Sequence, residues 1–379
     1  MSSPAPVSAS PLRVLFACGG TGGHVYPAIA VADAVRREAP RAAVAFAGTA
    51  DRMEAEAVPK AGYDFHAITV SGFQRGLSAR ALARNLAFPF KLGKGLWESL
   101  RLVGRFGPDV VVGTGGYASG PVGLAASLRR VPLVIQEQNA YAGATNKMLA
   151  GRADRVFVAF EAARPAFEGA RDVRVAGNPI RADLLDADPA AAREHWGLAE
   201  SARVLLVMGG SLGAGPLNGA LKLHLGALLA DERTAVIWAA GKRYYETLRA
   251  AVPEHPRLRL VPYLDRMDLA YAAADLALCR AGAITCSELA ATGTPAVLVP
   301  SPNVTADHQT KNARALADEG AAVLLPEADL AARFERVVPA LLADGDARAA
   351  MRSAALRIAR PDAARTIAQS VLALAARRN

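Results

Sequence analysis

"GGTGGHVYPAIAVADAVRR" (19–37) begins at the end of the apolar run "RVLFACG" (13–19) and passes into a segment where Val25, Ile29, Ala32 and Val35 recur every three or four residues. An apolar run, a glycine turn and an amphipathic period read as strand, tight turn and helix. Glycines at such a turn let backbone N–H groups approach an anion, and the helix N-terminus favours negative charge. Two readings of the turn stand side by side: a purely structural βα connection, or a phosphate seat ending in His24.

The same grammar runs along the chain. Short apolar runs at 43–48, 65–70, 109–115, 132–138, 155–160 and 173–177 alternate with amphipathic segments. The pattern restarts at "RVLLVMGGSLGAGPLNGALKLHLGALL" (203–229), followed by runs at 235–241, 257–264, 276–282, 295–300 and 321–326. Strands that are apolar throughout suit a parallel sheet covered on both faces. The expectation is α/β: two doubly wound, Rossmann-like domains facing a central cleft. The first spans 11–177 and the second 178–360, divided near "GNPIRADLLDADPAA" (177–191), where Gly, Pro and Asp interrupt the pattern. Residues 1–10, "MSSPAPVSAS", read as a disordered tail without the regions of a signal peptide.

Three glycine loops stand at strand ends: "GGTGGH" (19–24), "GTGGYASGP" (113–121) and "GGSLGA" (209–214). None ends in the Gly-Lys-Ser/Thr of a P-loop. The dinucleotide fingerprint fails as well, because its third glycine falls at Val25 and the expected acid, Asp51, comes late. A kinase or a nicotinamide-dependent dehydrogenase is thereby disfavoured. In "CRAGAITCSELAATGTP" (279–295), Glu288 near the start of a helix either complements the dipole or accepts ribose hydroxyls. "DHQTKNA" (307–313) is either a set of helix caps or a group of sugar-hydroxyl ligands.

The chain of 379 residues is 52% hydrophobic and carries a formal net charge of +9. That balance suits nucleic acid, an anionic membrane surface, a phosphorylated substrate or simple solubility. The three cysteines, Cys18, Cys279 and Cys286, form no CxxC and read as reduced, packed thiols; the six histidines form no metal-ligand pair. No apolar stretch reaches the ~18–20 residues of a spanning helix. The stretch 73–107 interleaves Leu77, Leu82, Leu86, Phe88, Phe90, Leu92 and Trp97 with Arg75, Arg80, Arg84, Lys91 and Lys94, with Glu98 as its one acid. It is either a core helix with a solvated face or a patch that docks on anionic lipid.

These motifs, with "GTADRMEAEAVPKAGYDF", "EQNAYAGATNK" and "GNPIR", occur in the order in which they stand in the MurG family, which the chain resembles from about Leu12 to its C-terminus. The resemblance implies the GT-B fold, with 361–379 returning to the first domain. It implies a UDP-N-acetylglucosamine-dependent, inverting β-1,4 hexosyltransferase that converts lipid I to lipid II for peptidoglycan. No cofactor and no bound metal are implied, and no nucleic-acid partner. The implied location is peripheral, on the cytoplasmic face of the bacterial plasma membrane, held through 73–107.

Carried over by motif, Ser211 and Arg181 contact the nucleotide diphosphate, and backbone groups of Leu264 meet the uracil. Ala283, Ile284, Thr285, Cys286, Ser287 and Glu288 wrap the nucleotide, with Glu288 on the ribose, and Gln309 holds sugar hydroxyls. Thr21, Gly22, Gly23 and Asn139 reach the donor from the first domain. Gly19, Gly20, His24, Gly115, Gly116 and Tyr117 face the acceptor diphosphate. His24 is the first choice of general base and Glu137 the alternative; loop capping and diphosphate binding compete as roles for His24. Many family members have His where this chain has Gln136, and some have a second Gln where it has Thr310. The competing functions are a UDP-N-acetylglucosamine 2-epimerase, another glycolipid glycosyltransferase of the same fold, and a silent nucleotide-binding module.

Overall fold

The computed structural model describes residues 11–70, 88–210 and 212–377, with only the backbone described at 88, 89, 182 and 305. The expected tail 1–10, residues 73–87 of the basic-aromatic stretch and Ser211 lie outside the described residues. The chain forms two compact units. One joins the segment ending at Gln138 to Ala142–Pro179 and to the segment from Asp362 onward; the other holds Asn139–Tyr141 and Ile180–Pro361.

The first unit contains β1 (Arg13–Cys18), α1 (Gly22–Glu38), β2 (Ala43–Gly48), α2 (Glu54–Lys60), β3 (Asp64–Ala67), α3 (Phe88–Phe106), β4 (Val110–Gly115), α4 (Ser119–Leu128), β5 (Leu133–Glu137), α5 (Ala144–Ala150), β6 (Arg155–Val158) and β7 (Val173–Val175). Its seven strands are all parallel, in the order β3-β2-β1-β4-β5-β6-β7. Strand side chains alternate between faces. Val14, Phe16, Cys18 and Val112 therefore pack with α1 on one side, while Leu15, Ala17 and Val111 pack with α4 on the other. With both faces covered, β4 and β5 have no exposed position, which is why Val110–Val112 and Leu133–Ile135 are apolar without alternation.

The second unit opens with α6 (Pro189–His195). Asp188 caps this helix, accepting from Ala191 N at 2.9 Å, with proline at the first helical position. The "DADP" run is thus a helix start. Next come β8 (Arg203–Met208), α7 (Gly215–Ala230), β9 (Thr234–Ala239), α8 (Tyr245–Ala251), β10 (Leu258–Val261), α9 (Met267–Ala273), β11 (Leu276–Cys279), α10 (Ala283–Thr292), β12 (Ala296–Leu298), α11 (His308–Ala317), β13 (Ala322–Leu324), α12 (Leu330–Ala343) and α13 (Gly345–Ile358). Six parallel strands run β10-β9-β8-β11-β12-β13. The core is built around buried Trp238, whose indole N–H donates to Asn218 Oδ1 at 2.9 Å.

The final helix, α14 (Ala363–Ala376), belongs to the first unit. Its Ile367, Ala368, Val371 and Ala375 join Val25, Ala28, Val31 and Val35 of α1 in one cluster. Arg155 on β6 donates to Ser370 of the same helix. Ile367 is fully buried. Ile367→Ala should therefore lower the unfolding free energy of this unit by about 2–5 kcal/mol, read as a shift in urea midpoint at unchanged slope.

Candidate active site

In open parallel sheets, ligands sit beyond the carboxyl ends of the strands where the strand order reverses. In the first unit that point lies between β1 and β4, and the loops "GGTGGH" and "GTGGYASGP" leave those two strands. A Cβ on Gly116 would stand 2.1 Å from the Gly19 carbonyl oxygen, so the loops touch backbone to backbone. Gly116 also has φ +80°, which a side chain would strain. Ser119 Oγ lies 2.7 Å from the carbonyls of both Ala17 and Gly115 and ties the second loop to β1. Tyr117 at its tip and Tyr26 on α1 are exposed.

Glu54, a residue the sequence reading left without a role, supports the first loop. It is fully buried, and its carboxylate accepts from Gly20 N at 3.0 Å, Thr49 N at 3.0 Å and Thr49 Oγ1 at 2.6 Å. A Cβ on Gly19 would meet Glu54 Oε1 at 2.7 Å. The acid thus holds the loop from beneath, and Gly19 is the residue that fits above it.

His24 begins the helix side of that loop. Its ring Nδ1 is 2.8 Å from Gln138 Oε1, and its own carbonyl accepts from Thr114 Oγ1 at 2.8 Å. Glu137 is buried, and its Oε2 accepts from Gly143 N at 2.9 Å and Asn146 Nδ2 at 2.8 Å. The two carboxyl-terminal positions of β5 and its loop therefore differ. Glu137 orders the turn into α5, whereas Gln138 engages the imidazole.

The second unit repeats the arrangement at β8 and β11. "GGSLGA" leaves β8 and enters α7. Gly213 has φ +78°, and its Cβ would meet Ala240 O at 2.1 Å. The loop is again pressed onto neighbouring backbone. Across the switch point β11 runs through Gly282 into α10, whose first turn has no side-chain cap and no acid. Such a helix end offers oriented N–H groups and positive potential to an anion.

Of the residues read from "AITCSE", Ala283 and Cys286 turn into the core, whereas Ile284, Thr285, Ser287 and Glu288 are partly exposed. Glu288 accepts from Tyr271 Oη at 3.0 Å. Burial pushes its carboxyl up to about 7, against smaller lowering effects from Tyr271 and Arg181. Arg181 is exposed, and Leu264 is buried. Gln309 at the start of α11 accepts from Ser301 N at 2.9 Å, after a turn in which Ala306 and Asp307 both have positive φ.

Asn139, read as a first-domain residue, groups with the second unit. Asn312 is the cause: fully buried, it accepts from Ala140 N at 2.8 Å and donates to Asn139 Oδ1 at 3.3 Å and to Ala281 O at 3.2 Å. Within "DHQTKNA", Asn312 is therefore a fastener of backbone and not an exposed sugar ligand. Among the described residues, no group of three or more His, Cys, Asp or Glu is arranged to hold a metal ion. The three cysteines are free and buried.

Residues 14–158 match the glycosyltransferase family 28 N-terminal domain, and residues 204–367 match the family's C-terminal domain. The chain is 59% identical over 365 residues, 96% of its length and 97% of the relative's, to a UDP-N-acetylglucosamine–N-acetylmuramyl-(pentapeptide) pyrophosphoryl-undecaprenol N-acetylglucosamine transferase of Salinibacter ruber. It is 42% identical to the protein of the same name from Chlorobium phaeobacteroides, over 96% of this chain and 100% of that one. Among solved structures it is similar to MurG of Acinetobacter baumannii, with a TM-score of 0.76 and 33% identity over 96% of this chain and 100% of that one. It shares the fold alone with a UDP-N-acetylglucosamine 2-epimerase of Neisseria meningitidis, at a TM-score of 0.62 and 12% identity over 96% and 100% of the two chains. With both domains matched in order and full-length relatives this similar, the chain belongs to the MurG family of glycosyltransferase family 28.

Proposed function

We propose that this protein transfers N-acetylglucosamine from UDP-N-acetylglucosamine to the C4 hydroxyl of the N-acetylmuramyl residue of lipid I, with inversion, forming lipid II. The observation that carries the reading is the 59% identity, over 96% of the chain, to a transferase named for those substrates. In this reading the acceptor oxygen attacks the anomeric carbon as the bond to the UDP oxygen breaks. The leaving diphosphate takes the electron pair, and the hydroxyl proton passes to a base. The transition state has oxocarbenium character, as in glycoside hydrolysis.

The second unit receives the donor. The N-termini of α7 and α10, with Arg181 and Ser211, offset the charge that grows on the diphosphate. Leu264 presents backbone to the uracil, Glu288 accepts ribose hydroxyls, and Gln309 holds the sugar. Glycine loops of the first unit, at Gly19, Gly20, Gly115, Gly116 and Tyr117, receive the lipid-linked diphosphate. His24 is the base, which fits its half-buried position at a loop end. Glu137 serves the reading less well, since its carboxylate is buried and spent on Gly143 and Asn146.

Helix α3 supplies the membrane face. Its Phe90 is 82% exposed and Trp97 59%, beside exposed Lys91, Lys94 and Arg101. Glu98 on the same helix accepts from Thr69 N at 2.5 Å and pairs with Lys94 at 3.7 Å, which leaves Lys91 and Arg101 as the cations of that face outside this pair. Among the described residues, no helix is long and apolar enough to cross a membrane. The reading is therefore of a protein that lies on an anionic leaflet.

UDP release should require both UDP-N-acetylglucosamine and a short-chain lipid I analogue; acceptor-independent turnover would instead indicate the epimerase. In that assay His24→Ala should lower kcat by roughly 10²–10⁴-fold, the share of a general base, with UDP affinity nearly unchanged. Unchanged turnover removes His24 from the chemistry.

The Glu288 carboxyl is raised from 4.5 to about 7, so the folded state holds a proton across that range that the unfolded state has released. Its contribution to stability is present below about 4.5 and is lost as pH rises through about 7. Glu288→Gln should therefore stabilise the ligand-free protein at pH near 8, by on the order of 3 kcal/mol, and weaken UDP binding there. Wild-type affinity for UDP should fall more steeply below pH ~7 than the variant's, since only the wild type must shed that proton. Calorimetric titrations of the two proteins with UDP across this range check both signs.

Sedimentation with phosphatidylglycerol vesicles should show binding that salt weakens and that Phe90→Asp with Trp97→Asp abolishes. Equal binding to purely zwitterionic vesicles, or none to either, would refute the membrane face.

A further inference from the structure

Three buried amides stand behind His24 in the first unit: Gln138 and Gln136 around the end of β5, and Asn178 in "GNPIR". Gln136 and Asn178 are 0% and 1% exposed, and Gln138 is 1% exposed, so water does not compete for their hydrogen bonds. Asn178 Nδ2 donates to the backbone carbonyl of Gln138 at 2.9 Å. Gln136 Nε2 donates to Asn178 Oδ1 at 3.0 Å. Gln138 Nε2 faces three acceptors with its two hydrogens: Thr114 O at 2.7 Å, Gln136 O at 3.0 Å and Gln136 Oε1. Gln138 Oε1 then meets His24 Nδ1 at 2.8 Å.

The direction of this chain is not a free choice. Backbone carbonyls only accept, so the atom facing Thr114 O and Gln136 O must be the nitrogen of Gln138. Turning that amide over would set its oxygen against two carbonyl oxygens in a buried space. The Gln138 carbonyl likewise fixes Asn178, and Asn178 fixes Gln136. What reaches His24 is therefore an amide oxygen, which only accepts, and Nδ1 must carry a hydrogen. In the neutral ring that leaves the lone pair on Nε2.

We infer that Gln138, oriented by Gln136 and Asn178, is a positioning residue that holds neutral His24 as the Nδ1–H tautomer and so presents Nε2 as its proton-accepting atom. The kinetic consequence rests on the reading of His24 as the base; the tautomer does not. Thr114 completes the support from the backbone side, since its hydroxyl donates to the His24 carbonyl while its own carbonyl anchors Gln138. Free imidazole side chains favour the opposite tautomer, so the preference must come from these partners.

The test is the nitrogen NMR signature of His24 in the full-length protein labelled at histidine, assigned by comparison with His24→Ala. At a pH where the ring is neutral, wild-type Nδ1 should resonate as the protonated nitrogen and Nε2 as the bare one. Gln138→Met, which keeps the side-chain length and removes the acceptor, should shift the population toward Nε2–H. Gln136→Met removes only the side-chain acceptor and leaves the carbonyls of Thr114 and Gln136 in place, so it should keep the Nδ1–H signature.

A wild-type ring protonated on Nε2 overturns the inference without any variant, and so does an unchanged Nδ1–H signature in a folded Gln138→Met. In the UDP-release assay, kcat of Gln138→Met should fall by about 10- to 100-fold, less than the roughly 10²–10⁴-fold that a general base supplies, with KM for UDP-N-acetylglucosamine little changed. A shifted tautomer with unaltered kcat upholds the inference about Gln138 and defeats the reading of His24 as base. The two failures are thus distinguishable.

Discussion

Contact between bare backbones at the sheet's switch point is the constraint on which the first unit depends. Gly19 and Gly116 meet with no room for a side chain on Gly116, and a side chain on Gly19 would strike Glu54. Two strands that leave the sheet side by side must send their chains apart. Here they stay close enough to touch backbone to backbone. That proximity needs glycine on both sides and a buried acceptor beneath, because a loop drawn this tight cannot satisfy its own amides. Glu54 supplies the acceptor through its bonds to Gly20 and Thr49. The second unit meets the same constraint with backbone alone, Gly213 lying against Ala240 and Gly241.

Much of this was legible in the sequence, and for a physical reason. Strands buried on both faces carry apolar runs without alternation, so Val14–Cys18, Val110–Val112 and Leu133–Ile135 announce a parallel sheet without any partner in view. Glycine at the strand ends marks the loops, since close backbone approach excludes other residues. The restart at 203 announces the second sheet, whose strand order repeats that of the first five strands and their neighbour. The family followed from motif order and is upheld by both matched domains.

What the sequence concealed is the work of buried polar side chains. Glu54 stands in a motif whose letters give it no partner, yet it is fully buried. Asn312 sits beside Gln309 in a motif that reads as sugar-binding, yet its amide faces inward to hold Asn139 and Ala140. Asn178 precedes the arginine that drew notice in "GNPIR", and Gln138 lies between Glu137 and Asn139, two residues with more obvious chemistry. Periodicity reports which face of an element is apolar. It carries nothing about a single polar residue whose partners are distant along the chain, such as Gln138 with His24 across 114 positions.

The position before Glu137 shows how such partners shape reactivity. Members of the family that carry histidine there place a titrating ring where this chain has Gln136. An amide cannot change its charge between pH 5 and 8, and its donor and acceptor ends are distinct atoms. In this chain every member of the line from Asn178 to Gln138 is an amide, so the line keeps one polarity across that range. Gaining a proton on Nε2 leaves each hydrogen bond of His24 in place, because Nδ1 donates to Gln138 whether the ring is neutral or charged. A ring supported in this way can take a proton on Nε2 and release it with no rearrangement of the buried groups behind it.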